Sequence, residues 1–327
     1  MKRSLAFALI SLTAAFAPAT AQTPPDDDLP MSRRVVTRDP SDIVKCGDTY
    51  WVFHTGKGIP SLHSKDLLKW EPGPAVFSEP PAWITESVPG NKGGYWAPSV
   101  RKVGDKYFLY YSVSTMGAMR SAIGLATNPT LDPASPGYKW TDHGPVVESR
   151  DGGNFNAIDP SVFQDDDGSL WLVFGSQWSG IQLIQLDPET GKRIARDSPQ
   201  ENLADAEIIE GGFLTKHDGY YYLFLNWGTC CSGVDSTYNI VVGRSKKVTG
   251  PYVDDKGVGM LYGGGRPFIP NKNGPLIGPG HAGILEADGK TWFTCCFEGN
   301  TRMEGKATLA LMPLHWTEDG WPVAEMK

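Results

Sequence analysis

One sequence pattern recurs five times along the chain and constrains its fold more than any other feature. Each copy has a short opening, a few residues, a Gly beside charged residues, and then a run of aromatic and β-branched residues. The Gly residues that anchor the copies lie 51 to 70 residues apart, which indicates a fold built from repeated units. The copies read RDPSDIVKCGDTYWVF from Arg38, WAPSVRKVGDKYFLYY from Trp96, IDPSVFQDDDGSLWLVF from Ile158, IEGGFLTKHDGYYYLFL from Ile209 and GHAGILEADGKTWFTCC from Gly280.

Each repeat contains enough short strands for one blade of a propeller. We predict strands at PSVRKV, KYFLYYSVS, SAIGLATN and YKWTDHG in the second repeat, and at GGFLTKH, YYYLFLNW, YNIVVGRSK and PYVDD in the fourth. No segment shows a sustained helical period with caps. Four short antiparallel strands cannot bury a core alone, but they can when the units stack around an axis. The sequence therefore predicts an all-β, five-bladed β-propeller, because a barrel or sandwich would not explain the spacing.

The ends and the charge of the chain indicate an exported protein. Residues 1–21 have a basic start, a short apolar run and a small-residue cleavage pattern, so they are predicted to be a signal peptide. The apolar run is too short to span a bilayer. Residues 22–34 are predicted to be a flexible lead-in, and residues 35–327 a single propeller domain. We expect a periplasmic or secreted monomer with no membrane span, and the net charge of −7 argues against a nucleic-acid partner.

A propeller brings the openings of its five repeats together. The first strand of each blade lines the central channel, so the second residue of each copy is predicted to lie on one ring around the axis. Three carboxylates and one histidine at one depth are costly as mere structure, because like charges destabilise a fold unless something offsets them, so the set indicates a site. A single Asp before Pro would instead be read as a turn signal. The predicted ring residues are Asp39, Ala97, Asp159, Glu210 and His281.

Opposed carboxyl groups across a channel suit glycoside hydrolysis. One carboxyl group protonates the leaving oxygen, while the other attacks C1 or activates a water. The acid needs a raised pKa, which a neighbouring carboxylate supplies. Blades that are not adjacent would hold the pair far enough apart for a water, roughly 6.5–9.5 Å, and that spacing predicts inversion of configuration.

Over nearly all of its mature length the chain resembles the family 43 glycoside hydrolases, and within them the endo-α-1,5-L-arabinanases. The resemblance implies an arabinan substrate, Asp39 as the general base, Glu210 as the general acid and Asp159 as the modulator of its pKa. It also implies that His281 helps to hold calcium through water, whereas a simpler interpretation is a hydrogen-bonded channel residue. The segments that carry the resemblance include RDPSDIVKCGDTYWVFHTGKGI, NAIDPSVFQDDDGSLWLVFGSQWSGI, LHWTEDGWP and the long tract from Ile208 to Tyr252.

Several further residues are predicted to bind substrate. Trp96 lies beside the ring, and Trp178 and Trp227 follow inner strands near the predicted channel mouth, although blade packing is an equal alternative for the last two. His54 and Thr55 end the second strand of the first blade at the same mouth. The resemblance adds residues near the subsites, which are Asn156, Cys230, Cys231 and Ser236.

The sequence departs from the family pattern in ways that leave alternatives open. Arg38 replaces the usual histidine, Gly-Gly follows Glu210, and Ala-Gly follows His281.

The adjacent cysteines Cys230 and Cys231 can bond to each other, pair elsewhere or stay reduced, and no CxxC pair supports zinc. An exo-acting α-L-arabinofuranosidase or β-xylosidase is the enzymatic alternative to an endo-arabinanase. A non-catalytic arabinan-binding propeller is the alternative of another class.

Overall fold

The computed structural model describes residues 34–326, and these form five antiparallel sheets. The predicted signal peptide and all of the lead-in except Arg34 lie outside the described residues. One short helix, α1, spans Trp83–Ser87. The strands are β1 Val44–Cys46, β2 Thr49–Phe53, β3 Gly56–Lys57, β4 Ser61–Ser64, β5 Glu71–Gly73, β6 Gly94–Val103, β7 Lys106–Val113, β8 Ser121–Asn128, β9 Thr141–Ser149, β10 Ser161–Gln164, β11 Leu170–Phe174, β12 Ile181–Leu186, β13 Gln200–Ala204, β14 Ile209–His217, β15 Tyr220–Trp227, β16 Asn239–Ser245, β17 Arg266–Ile269, β18 Lys272–Asn273, β19 Leu276–Ala287, β20 Lys290–Asn300, β21 Lys306–Trp316 and β22 Pro322–Ala324.

The sheets follow one another along the chain as the blades of a five-bladed β-propeller, which confirms the predicted fold. Blade one contains β1, β2, β4 and β5, and blade two contains β6 to β9 with β3 paired to β6. Blades three and four contain β10 to β13 and β14 to β17, and blade five contains β18 to β22. Within the described residues, no helix is both long and apolar enough to cross a membrane.

The repeated Gly residues lie in the turns that join the first two long strands of each blade. All five have positive φ angles between 60° and 87°, and an added Cβ would meet no atom closer than 4.0 Å. In four blades the turn has two residues, which require the positive φ that Gly adopts without steric cost, whereas residues 165–169 join the strands of blade three. These residues are Gly47, Gly104, Gly168, Gly219 and Gly289.

The hydrophobic core is divided into five clusters, one between each pair of neighbouring blades. Aromatic and β-branched residues from the second strand of one blade pack against the next blade, as Phe53 packs near Tyr111 and Phe224 near Phe293. The remaining clusters join blades two and three, three and four, and five and one. The ring of clusters shows why no blade can be stable alone.

The N-terminal segment closes the ring by pairing with blade five. The Leu309 N–H donates to the Val35 carbonyl at 2.9 Å, and the Thr37 N–H donates to the Ala307 carbonyl at 3.2 Å. This segment then runs directly into Asp39 at the axis. This pairing therefore holds blade five against blade one and fixes the position of the chain just before Asp39.

The predicted last strand of the fourth blade was wrong. The fourth strand is Arg266–Ile269, whereas the PYVDD segment around Val253 makes only isolated bridges. Asp254 explains the difference, because its carboxylate accepts the N–H groups of Lys256 and Val258 and so turns the chain into a loop.

Candidate active site

Each blade begins its inner strand with a residue in the left-handed backbone conformation. In blades two, four and five the pairing between the first two long strands shifts register at this point, as it does in a β-bulge. The unusual φ angle turns the side chain away from the pleat of the strand and toward the channel. The five residues and their φ angles are Asp39 at 46°, Ala97 at 40°, Asp159 at 56°, Gly211 at 61° and His281 at 55°.

This register corrects the predicted ring in blade four. Glu210 pairs with Asn226 just before the register shift, as Trp96 pairs with Ser112 before the shift in blade two. Gly211 is therefore the ring residue of blade four, and the prediction that Glu210 occupies that position was wrong. Gly211 adopts the left-handed conformation without steric cost. The acidic side chain of blade four belongs to Glu210, one residue before the ring position.

An open cavity of about 520 Å³ covers the ring and gathers most of the predicted site. The cavity contains the predicted catalytic and axial residues Asp39, Asp159, Glu210 and His281. The predicted substrate-binding residues in its wall are Trp96, Asn156, Trp178, Cys230 and Cys231. The repeats therefore deliver chemistry-bearing side chains from all five blades, or from the loops that follow them, to one place.

Asp39 is held by hydrogen-bond donors and positive charge. Thr55 Oγ1 donates to Asp39 Oδ2 at 2.6 Å, and the Ala97 N–H donates to the same Thr55 oxygen at 2.9 Å. His281 Nε2 lies 3.3 Å from Asp39 Oδ1, and Arg38 Nε lies 3.8 Å from Oδ2. A hydroxyl, an imidazole and a guanidinium therefore face the two oxygens of Asp39.

Glu210 is held in a different environment. Burial raises the pKa of Glu210, and the negative charges of Asp39 and Glu298 act in the same direction. The Ser176 hydroxyl opposes this shift because it donates to Glu210 Oε2 at 2.7 Å, and His281 opposes it as well. The net effect is a carboxyl group that keeps its proton to higher pH than an exposed glutamate.

Asp159 lies near Glu210 and is also buried. Burial raises the pKa of Asp159 well above its ordinary value, and the charges of Glu210 and Asp39 raise it further. The Gly211 N–H donates to the Asp159 carboxylate, and the Asp159 N–H donates to Ser112 Oγ at 2.9 Å. Two buried carboxyl groups with like charge titrate together, so Asp159 and Glu210 retain a proton where exposed carboxyl groups have lost theirs.

The cavity therefore contains two kinds of carboxyl group. Asp39 faces a hydroxyl donor, an imidazole and a guanidinium, whereas burial raises the pKa of Glu210 and of Asp159. Such a difference in environment is what separates a base from an acid within one site. The arrangement can accept a proton at one side of a bound substrate and donate one at the other.

The mouth of the cavity carries exposed apolar side chains. Trp178 is 45% exposed and Met116 is 73% exposed, and both line the cavity. The loop that carries Trp178 is fixed by hydrogen bonds from the Gly180 N–H to the Gln177 carbonyl at 2.8 Å and from the Gln177 N–H to Ile209. A fixed, exposed indole is suited to packing against the apolar face of a sugar.

Two predicted substrate-binding residues are placed elsewhere. Trp227 packs into the core between blades three and four, beside Gly265, because its position on β15 turns it away from the channel. Ser236 is buried, and its hydroxyl donates to the Thr229 carbonyl at 3.1 Å, so it fixes the loop after β15. The sequence placed both residues beside the substrate, but neither of them lines the cavity.

Sequence reasoning also missed residues that complete the site. Ser176 follows the second strand of blade three as Thr55 follows that of blade one, and each hydroxyl bonds a cavity carboxylate. A polar residue just after the second strand of a repeat was the signal that could have identified Ser176. Tyr238 in the wall and Glu298 behind it gave no such signal, because each is placed by contacts between distant segments.

The adjacent cysteines Cys230 and Cys231 form a disulfide, which selects one of the three alternatives left open. Together with Glu298 they form the one group of three closely spaced candidate metal ligands found among residues 34–326. Their sulfurs are bonded to each other, so the group does not offer free thiolates. His281 is outside this group, and its Nε2 lies 3.3 Å from Asp39 Oδ1.

Comparisons with known proteins agree with this geometry. The family model for glycosyl hydrolases family 43 matches residues 33–322. An extracellular exo-α-(1→5)-L-arabinofuranosidase from Cellvibrio japonicus is 39% identical over 90% of this chain and 88% of its own length. An extracellular endo-α-(1→5)-L-arabinanase from Bacillus subtilis is 38% identical over 87% of this chain and 86% of its own length.

Solved structures give the same result. The structure of Cellvibrio cellulosa α-L-arabinanase complexed with arabinohexaose has a TM-score of 0.84, with 37% identity over 89% of this chain and 96% of that one. An exo-1,5-α-L-arabinanase from a bovine ruminal metagenomic library has the same TM-score with 39% identity, covering 89% of this chain and 97% of that one. With the fold, the axial carboxyl groups and these matches in agreement, the chain belongs to glycosyl hydrolase family 43 and is a glycosidase.

Proposed function

We propose that this protein is an exported, inverting hydrolase that cuts α-1,5-linked L-arabinofuranose chains of arabinan at internal bonds. The observation that carries the proposal is the unequal environment of Asp39 and Glu210 within one cavity. The substrate follows from relatives named as arabinanases, one of which was solved with arabinohexaose. Membership of a glycosidase family favours catalysis over the binding-only alternative.

In the proposed mechanism, the two carboxyl groups act on opposite sides of the glycosidic bond. Glu210 gives its proton to the leaving oxygen as the bond from C1 to that oxygen breaks. Asp39 accepts a proton from the water whose oxygen forms the new bond to C1. Asp159 is proposed to share the retained proton with Glu210, because two buried carboxyl groups this close do not both ionise readily. Trp96 and Trp178 are proposed to pack against the sugars on either side of the cut.

The endo mode is proposed from the mouth of the cavity. Trp178 and Met116 extend the apolar wall outward from blades three and two, which gives a chain that continues beyond the central sugar something to pack against. Exo action is the second candidate, because relatives of equal identity carry that name. Xyloside cleavage has no support from those relatives.

The products formed over time separate these modes. We expect the mature protein to release a ladder of oligosaccharides early in its reaction with debranched linear arabinan, and Asp39→Ala to release none. Asp48→Ala, which changes an exposed aspartate paired with Lys65, is the matched control and should act like the wild type. Chromatography at successive times measures this. Arabinose or one short product from the start would contradict the endo mode, and full activity in Asp39→Ala would contradict the base assignment.

The hydroxyl of Ser176 gives a test of the acid. Its hydrogen bond to Glu210 favours the ionised carboxylate, so Ser176→Ala should raise the pKa of Glu210 further. Because the acid must be protonated, the alkaline limb of the kcat/KM profile should then move to higher pH. Ser169→Ala, in the first hairpin of the same blade, is the matched control. An unmoved alkaline limb in Ser176→Ala, or movement in both variants, would reject Glu210 as the acid.

Calcium near His281 is proposed only as a hydrated ion that takes no part in the chemistry. A site in which one imidazole and waters hold calcium binds it weakly, so EDTA should remove the ion. Because the proposed ion takes no part in the chemistry, dialysis against EDTA is expected to leave kcat unchanged. Loss of most activity to EDTA, with recovery on added calcium, would overturn this expectation.

Export and oligomeric state are proposals of the same kind. Both protein relatives described above, from Cellvibrio japonicus and Bacillus subtilis, are named extracellular, which supports removal of residues 1–21 and release to the periplasm or medium. N-terminal sequencing of the exported protein should begin at Gln22. We propose a monomer, which light scattering of the mature protein would test.

A further inference from the structure

A buried carboxylate lies directly behind Asp39 and belongs to a contact between three blades. Glu298, on β20 of blade five, has a side chain that is only 2% exposed. Arg38, which precedes the first strand of blade one, donates from Nη2 to Glu298 Oε1 at 2.7 Å. The N–H of Cys231, in the loop of blade four, lies 3.0 Å and 2.8 Å from the two Glu298 oxygens.

Both carboxylate oxygens of Glu298 therefore accept hydrogen bonds, and burying this charged group costs solvation free energy. A buried ion pair gains little stability over an apolar contact because two charges lose their water. Apolar clusters already join these blades, so the ring does not need such a pair to close. Arg38 is also half-exposed and lines the cavity, so one edge of its guanidinium faces the substrate side.

The distance between Arg38 and Asp39 indicates what the pair does. Arg38 Nε is 3.8 Å from Asp39 Oδ2, an oxygen that already accepts a short hydrogen bond from Thr55. At this distance the guanidinium supplies positive charge without a direct hydrogen bond. A free arginine prefers a two-point contact with a carboxylate, which would occupy Asp39 and suppress its action as a base. Glu298 holds Arg38 away from that contact.

We propose that Arg38 and Glu298 are positioning residues for Asp39, and that the Cys230–Cys231 loop anchors Glu298. Glu298 restrains Arg38, and the restrained Arg38 stays beside Asp39 while leaving the Asp39 oxygens available to water. The inference rests on the proposed function, because it requires Asp39 to be the general base. It also gives a purpose to Arg38, which departs from the family pattern at this position.

The test is a double-mutant cycle with Arg38→Gln, Glu298→Gln and both together, measured as kcat and KM on linear arabino-oligosaccharide. Glu298→Gln should lower kcat by roughly ten- to a hundredfold, because the released Arg38 pairs with Asp39 and misplaces it. Removing Arg38 from that variant should restore kcat to the level of Arg38→Gln alone. Residues acting in series give such non-additive effects. Effects that multiply independently would overturn the inference.

The division of the effect between kcat and KM distinguishes positioning from a merely structural role. Glu298→Gln should lower kcat and leave KM close to its wild-type value, because the sugars still bind when Asp39 is misplaced. A matching rise in KM would indicate a damaged cavity and would overturn the positioning role.

The controls separate this inference from the proposed function and from loss of folding. Asp165→Asn removes a carboxylate of similar burial that pairs with Lys216 outside the cavity, and it should leave kcat and KM unchanged. Should Glu298→Gln fail to fold, a wild-type kcat in Arg38→Gln still overturns the inference. Asp39→Asn with retained turnover rejects the proposed base. An inactive Asp39→Asn beside independent effects of the Arg38 and Glu298 variants rejects the positioning role alone.

Discussion

The left-handed backbone at the inner end of each blade is the constraint on which the site depends. Four of the five ring residues are not glycine, and each such residue in this conformation costs on the order of 1–3 kcal/mol. The five hydrophobic clusters between the blades hold the conformation in place. The strain has a consequence for function, because it turns side chains that would otherwise follow the pleat of a strand into the channel.

The chemistry of the cavity follows from what surrounds each carboxyl group after that turn. Asp39 meets a hydroxyl donor, an imidazole and a guanidinium, whereas burial raises the pKa of Glu210 and of Asp159. The same side-chain chemistry is thus placed in two different environments. Part of this difference comes from residues outside the ring, such as Ser176 and Arg38, and these were the hardest to predict.

The repeats made the blades, the channel and the three carboxyl groups predictable, because periodic Gly turns and strand-forming runs are local properties. The blade-four register was not predictable in the same way. Glu210 aligns with the ring by sequence, but Gly211 adopts the left-handed conformation, which only pairing with Asn226 on β15 reveals. Trp227 is the last residue of β15, and its side chain faces the core between blades three and four rather than the channel mouth. Contacts such as Arg38 with Glu298 join residues 260 positions apart and leave no local pattern.

The stereochemistry of the first product tests the central claim most directly, since it reports whether a water or a carboxylate attacks C1. Proton NMR of the reaction with an α-1,5-linked arabino-oligosaccharide would follow the anomeric signals before mutarotation mixes them. Our account predicts that the new reducing end appears first as the β-anomer, because Asp39 activates a water opposite Glu210. A first product with the α-configuration would show a covalent intermediate and would contradict the assignment of Asp39 as a general base.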